Sequence, residues 1–140
     1  MKELCLEIVT YLRCLEMAYI HTHHQVKGPA FFADHEAAGN FYAAVGLDAD
    51  AASERFIGLF GAEELKPSYW KEAAEYLQEI PQSGCQDLWM HLLKKEKHLI
   101  ELVEELCSKL PRESDKQLYS GIGDKAIART YLLKQRLKEA

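Results

Sequence analysis

Two histidines and two carboxylates stand at spacings that suit a metal ion. His23 and His35 are twelve residues apart, with Lys27-Gly28-Pro29 between them. Asp50 follows His35 by fifteen residues, and Glu54 follows Asp50 by four. Imidazole nitrogens combined with carboxylate oxygens are a donor set that suits ferrous iron and similar borderline metals. Each residue alone has a plainer explanation: a histidine at a core edge, or a solvated acidic face on a helix. The spacing of all four together favours the metal.

The spacing also says where such a site must lie. If residues 35–60 form one helix, His35 and Asp50 share a side of it, because fifteen residues make just over four turns. Along the axis they are about 22 Å apart, at 1.5 Å per residue. One ion cannot bridge that distance within one chain. A second copy running antiparallel across a two-fold axis would bring the histidine end of one helix to the carboxylate end of the other, and would do so twice. The metal reading therefore implies a site between subunits.

The elements that must carry these residues can be read from periodicity. Residues 2–26 form an amphipathic helix with Leu4, Ile8, Tyr11, Leu12, Leu15, Tyr19 and His23 on one side. Gly28 and Pro29 end it, with Gly28 taking the C-terminal cap. Phe31 and Phe32 plug the bundle end, and Asp34 caps a second helix over residues 35–60. Gly39 and Gly46 lie inside that helix, each costing about 1 kcal/mol relative to alanine. Close approach of another helix is one reason to accept that cost. Asp50 and Glu54 are surface neighbours one turn apart, where pairing with Arg55 is the ordinary expectation.

Gly58 and Gly61 mark the end of the second helix, and residues 62–84 form a long crossover holding a short helix over residues 69–80. Ser83 with Gln86, and Ser114 with Gln117, give capping-box patterns for a third and a fourth long helix. Gly121 and Gly123 soften the last one, whose regular part is expected from about Asp124. His91 and His98 read as surface residues. The fold class is all-α, a four-helix bundle with one long crossover, in a single domain over residues 1–140.

Totals narrow the function. A 140-residue chain with 48% hydrophobic residues can bury a full core. The net charge of −5 argues against a general nucleic-acid binder. Cys5, Cys14, Cys85 and Cys107 lack metal-finger spacing and read as reduced thiols of a cytoplasmic protein. No apolar run suggests a membrane span, and the opening MKELCLEIV is unlike a signal peptide.

The run His23, Val26-Lys27-Gly28-Pro29, Phe31-Phe32, His35-Glu36, followed by Asp50-Ala-Ala-Ser-Glu54-Arg55, resembles the DNA-protection-during-starvation (Dps) branch of the ferritin-like proteins. The strong match covers about a quarter of the chain; helix order extends it more weakly. The resemblance implies a ferroxidase site shared between subunits, with His23 and His35 from one copy and Asp50 and Glu54 from its mate acting on Fe(II). It implies hydrogen peroxide or dioxygen as oxidant, ferric mineral stored inside, and two-fold dimers assembled into a dodecameric cage. It also places the short crossover helix, with Trp70 and Tyr76, at the dimer interface.

Two positions depart from the family pattern. Gly39 stands where the family usually has Asp, so a second ion should bind weakly. His24 stands where the family usually has an aromatic residue, and is a candidate replacement ligand. A structural or interaction cage with a degenerate, inactive site is the alternative. Another kind of di-iron bundle would carry Glu-x-x-His pairs, and none occurs here. DNA compaction is disfavoured by the acidic charge and by the lack of a lysine-rich arm at the start of the sequence.

Overall fold

The computed structural model describes residues 1–138. Its helices are α1 (Lys2–Gln25), α2 (Phe31–Phe60), α3 (Tyr69–Glu75), α4 (Cys85–Cys107) and α5 (Glu113–Lys138), with a 3-10 turn at Ala62–Glu64. No strand occurs among the described residues. No helix among them is long and apolar enough to cross a membrane.

Contacts between helices give the topology. Tyr19 of α1 meets Glu96 of α4, and Tyr11 meets His98, so these helices run antiparallel. Arg13 meets Asp50 while His23 meets His35, so α1 is antiparallel to α2 as well. Helices α2 and α4 therefore point the same way. Only a connection that travels the length of the bundle can join them, and the segment from Gly61 to Gly84 does so. The result is a ferritin-like four-helix bundle with a short extra helix in its crossover. Ile8, Leu12, Leu15, Phe56, Leu92 and Ile122 are among its fully buried side chains.

Several helix ends differ from the sequence reading, each for a local reason. Helix α2 begins at Phe31, because Asp34 is buried inside the helix and both of its oxygens accept from Arg136 of α5, at 2.8 and 2.9 Å. It does not cap. Phe31 packs on His35, whereas Phe32 is exposed. Helix α1 ends at Gln25, Val26 is in extended backbone, and Gly28, at φ +95°, turns the chain afterwards. Helix α4 starts after Gly84, at φ +96°, with no side-chain cap, so Ser83 and Gln86 form no capping box. Helix α3 stops at Glu75, short of Ile80. Helix α5 is regular from Glu113 through both glycines; a Cβ at Gly123 would lie 3.1 Å from Val103, so that glycine lets α4 and α5 approach.

A polar spine crosses the core. Arg129 donates through Nε and Nη2 to the two oxygens of Glu96, and the Tyr19 hydroxyl donates to Glu96 Oε2. Glu96 and Tyr19 are fully buried. Burial pushes the Glu96 carboxyl up, and its bonds from Arg129 and Tyr19 pull it back. Nearby, Lys125 holds the buried Asp48. Removing one partner of a buried ion pair strands the other charge. Arg129→Met should therefore destabilise the fold by about 3–5 kcal/mol in urea denaturation, with much of the loss recovered by adding Glu96→Leu.

His91 is a second correction, since both of its ring nitrogens are buried without a partner. Burial pushes its pKa down to about 4; Lys95 adds to the shift, while Glu79 opposes it. The folded imidazole thus holds its proton less well than the unfolded one. Its contribution to stability is present above about pH 6.5 and is lost as pH falls toward 4. His91→Phe should flatten the decline in melting temperature between those pH values.

Candidate metal centre

The centre starts from the register of α1 on α2. A Cβ placed on Gly39 would lie 3.1 Å from His23 Cε1, and one on Gly46 would lie 2.6 Å from Glu16 Oε2. Two polar side chains seven residues apart on α1 thus lie against two glycines seven apart on α2. The close approach expected at these glycines is present within one chain, and at Gly39 it is the His23 ring that uses the space.

His23 and His35 come together across the α1–α2 turn. Their rings stack with centroids 3.7 Å apart and planes 20° apart. His23 Nδ1 lies 2.7 Å from the His35 carbonyl oxygen, and His35 Nδ1 lies 2.8 Å from the His23 carbonyl oxygen. A carbonyl can only accept, so each Nδ1 must carry its proton. In a neutral ring, the lone pair then belongs to Nε2. This is the tautomer of a metal-binding histidine whose other nitrogen is anchored on a backbone carbonyl. His24 is exposed, with its ring 5.6 Å from that of His23.

Asp50 and Glu54 lie on the same unbroken helix, but far along it. At 1.5 Å per residue, His35 and Asp50 are about 22 Å apart on the axis. Among the described residues, no three of His, Cys, Asp and Glu gather in one chain as a metal-holding group. The four sequence candidates therefore form two separate pairs, one at each end of α2.

The carboxylate pair has company that the sequence did not reveal. Asp50 Oδ1 accepts from Arg13 Nη2 at 2.6 Å, and Arg13 Nη1 donates to Glu16 at 3.2 Å. The guanidinium carbon lies 4.9 Å from the centre of the Trp70 ring. Burial works against the Arg13 charge, but the bonds to Asp50, Tyr69 and Glu16 outweigh it and raise the pKa. Arg55, expected beside Asp50 or Glu54, instead donates to the buried Asp115. Glu54 is exposed and borders a cavity of about 390 Å³ that is also lined by Arg55, Gly58, Leu59, Arg112 and Leu118.

With this architecture in view, comparison with solved structures is decisive for the fold. A mutant of Dps1 from Mycobacterium smegmatis superposes with a TM-score of 0.82, covering 97% of this chain and 93% of that one at 17% identity. The chain has the fold of a Dps protein. The DPS protein of Vibrio cholerae O1, described as a member of a broad superfamily of ferritin-like diiron-carboxylate proteins, matches with a TM-score of 0.65 at 18% identity, covering 97% of this chain and 87% of that one. No family model matches the sequence, and neither does any curated protein. The Dps-like fold thus agrees with the motif resemblance.

The Gly39 notch yields a test. In spectra of ¹⁵N-histidine-labelled protein, His23 and His35 should both appear as Nδ1–H rings. Gly39→Ala should weaken or abolish the Nδ1–H signal of His23 and leave the overall helix content unchanged. An unaltered His23 signal would mean that Gly39 does not set the ring.

Proposed function

We propose that this chain binds Fe(II) at a site between two copies of itself and oxidises it, as part of an iron-storing, peroxide-consuming protein. One observation carries the reading. The paired Nδ1–carbonyl bonds leave both Nε2 atoms available at one end of α2, and the carboxylates that would complete a ligand set lie at its other end. Antiparallel pairing across a two-fold axis supplies what each chain lacks.

In this reading His23 and His35 of one copy and Asp50 and Glu54 of the other hold the iron, which is the substrate. Imidazoles bind Fe(II), and the carboxylates favour the Fe(III) product. Each Fe(II) gives up one electron, and hydrogen peroxide, taking two, is reduced to water with two protons from solvent. Dioxygen is the other candidate oxidant. The exposed Trp70 and Tyr76 and the exposed side chain of Asp50 fit a surface that a second copy covers. A dodecameric cage of such dimers follows from the Dps resemblance. The four unpaired thiols fit a reducing, cytoplasmic setting.

A second reading has its own support. Asp50 is already bonded to Arg13, and Gly39 supplies no oxygen donor. An inactive Dps-like cage, acting through its surface and partners, would show both features.

Anaerobic Fe(II) loading followed by a stoichiometric pulse of peroxide separates the two. The ferroxidase reading expects saturable Fe(II) binding and ferric absorbance that rises much faster than in buffer. Glu54→Ala should slow that rise by about 10- to 100-fold or more, the scale seen when supporting groups of a metal site are removed. Oxidation at the buffer rate in the wild type would favour the inactive cage.

A further inference from the structure

The Arg13 guanidinium is fixed from three directions. It donates to Asp50 at 2.6 Å and to Glu16 at 3.2 Å, and it lies over the Trp70 ring. Its side chain is only 11% exposed, whereas that of Asp50 is 64% exposed. Gly46 is part of the arrangement, because any Cβ there would displace the Glu16 carboxylate from its place against α2. A guanidinium cannot lose its proton at physiological pH and has no lone pair for a metal. It is therefore a permanent cation set among the carboxylates of the candidate centre.

Charge balance gives this cation a consequence. With Arg55 and Arg112 committed to Asp115, Glu16, Asp50 and Glu54 supply three negative charges, and Arg13 removes one. The two that remain are neutralised by a single divalent ion. A second ion would leave an excess of positive charge beside a guanidinium that cannot move away or deprotonate. Asp50 Oδ1 is already committed, leaving Oδ2 for a metal, and position 39 offers no carboxylate.

We propose that Arg13 takes the place of a second metal ion, so that each centre holds one divalent ion, bound by Nε2 of His23 and of His35 from one copy and by Glu54 with Asp50 Oδ2 from the other. The proposal rests on the inter-subunit metal site put forward above. It makes Arg13 a residue that sets stoichiometry, and it accounts together for Gly39, Gly46 and Glu16.

The test is anaerobic titration of the full-length, assembled protein with Co²⁺, followed by calorimetry and by visible absorbance of the bound ion. The wild type should bind one Co²⁺ per subunit. Arg13→Gln should bind two, the second about tenfold or more tighter than any second ion in the wild type, as expected on removing a fixed charge a few ångströms away. Arg13→Lys, which keeps the charge and loses the fork, should stay at one. A purely structural role for Arg13 would not separate those two variants. Two ions per subunit in the wild type would overturn the proposal whatever the variants do. So would one ion in both wild type and Arg13→Gln, with binding lost in His23→Ala; that result would leave the inter-subunit site standing. Unchanged Co²⁺ binding in His23→Ala would sink the site itself and this proposal with it.

Discussion

The packing of α1 on α2 sets the terms for the rest of the molecule. Two glycines, Gly39 and Gly46, let the helices approach closely enough for His23 and Glu16 to lie against backbone. That approach sets the histidine rings, whose Nδ1 atoms each find the other residue's carbonyl. It also aligns Arg13 with Asp50 one turn further on. Both ends of the candidate centre thus depend on one helix–helix register. The helix-propensity cost of two glycines, about 1 kcal/mol each, is offset by polar contacts that larger residues would block.

The interior of the bundle follows a different logic. In di-iron bundles of the ferritin-like class, carboxylates and histidines from facing helices converge on metal at the centre. Here the fully buried carboxylate Glu96 has Arg129 and Tyr19 as its partners. That carboxylate is met by a guanidinium and a phenol. The metal site proposed above lies instead at the surface, with the histidines near one end of α2 and the carboxylates toward the other. The proposed arrangement would couple the chemistry to assembly, since one copy alone would supply only half of each site.

Among the described residues, arginine holds three of the four buried acids, and Lys125 holds the fourth, Asp48. Arg136 holds Asp34, Arg129 holds Glu96, and Arg55 with Arg112 holds Asp115. The planar fork suits two carboxylate oxygens at once and sheds its water more readily than an ammonium. Arg13 belongs to the same pattern, but the acid that it meets is exposed and sits at the candidate centre. A device used elsewhere for holding helices together is there in a position to govern how much positive charge the site accepts.

Much of the architecture was legible in the chain itself. Apolar periodicity, glycine and proline breaks and cap-like residues marked four long helices, and the 24 residues between α2 and α4 required a crossover. The spacing of His35, Asp50 and Glu54 along one helix excluded a site within one chain, because helical rise converts sequence separation directly into distance. Helix ends were less legible: Asp34 has the composition of a cap, but its fate depended on Arg136, 102 residues away. The same holds for the pairs that tune the site. Arg13 and Asp50 are 37 residues apart, and Glu96 and Arg129 are 33. Periodicity describes one helix at a time and says nothing about which charges from two helices will meet. Only packing decides that, through register set to within a single turn. So the sequence by itself determined the helices and the candidate ligands, and the tertiary structure decided which nitrogen each histidine presents and which cation stands beside Asp50.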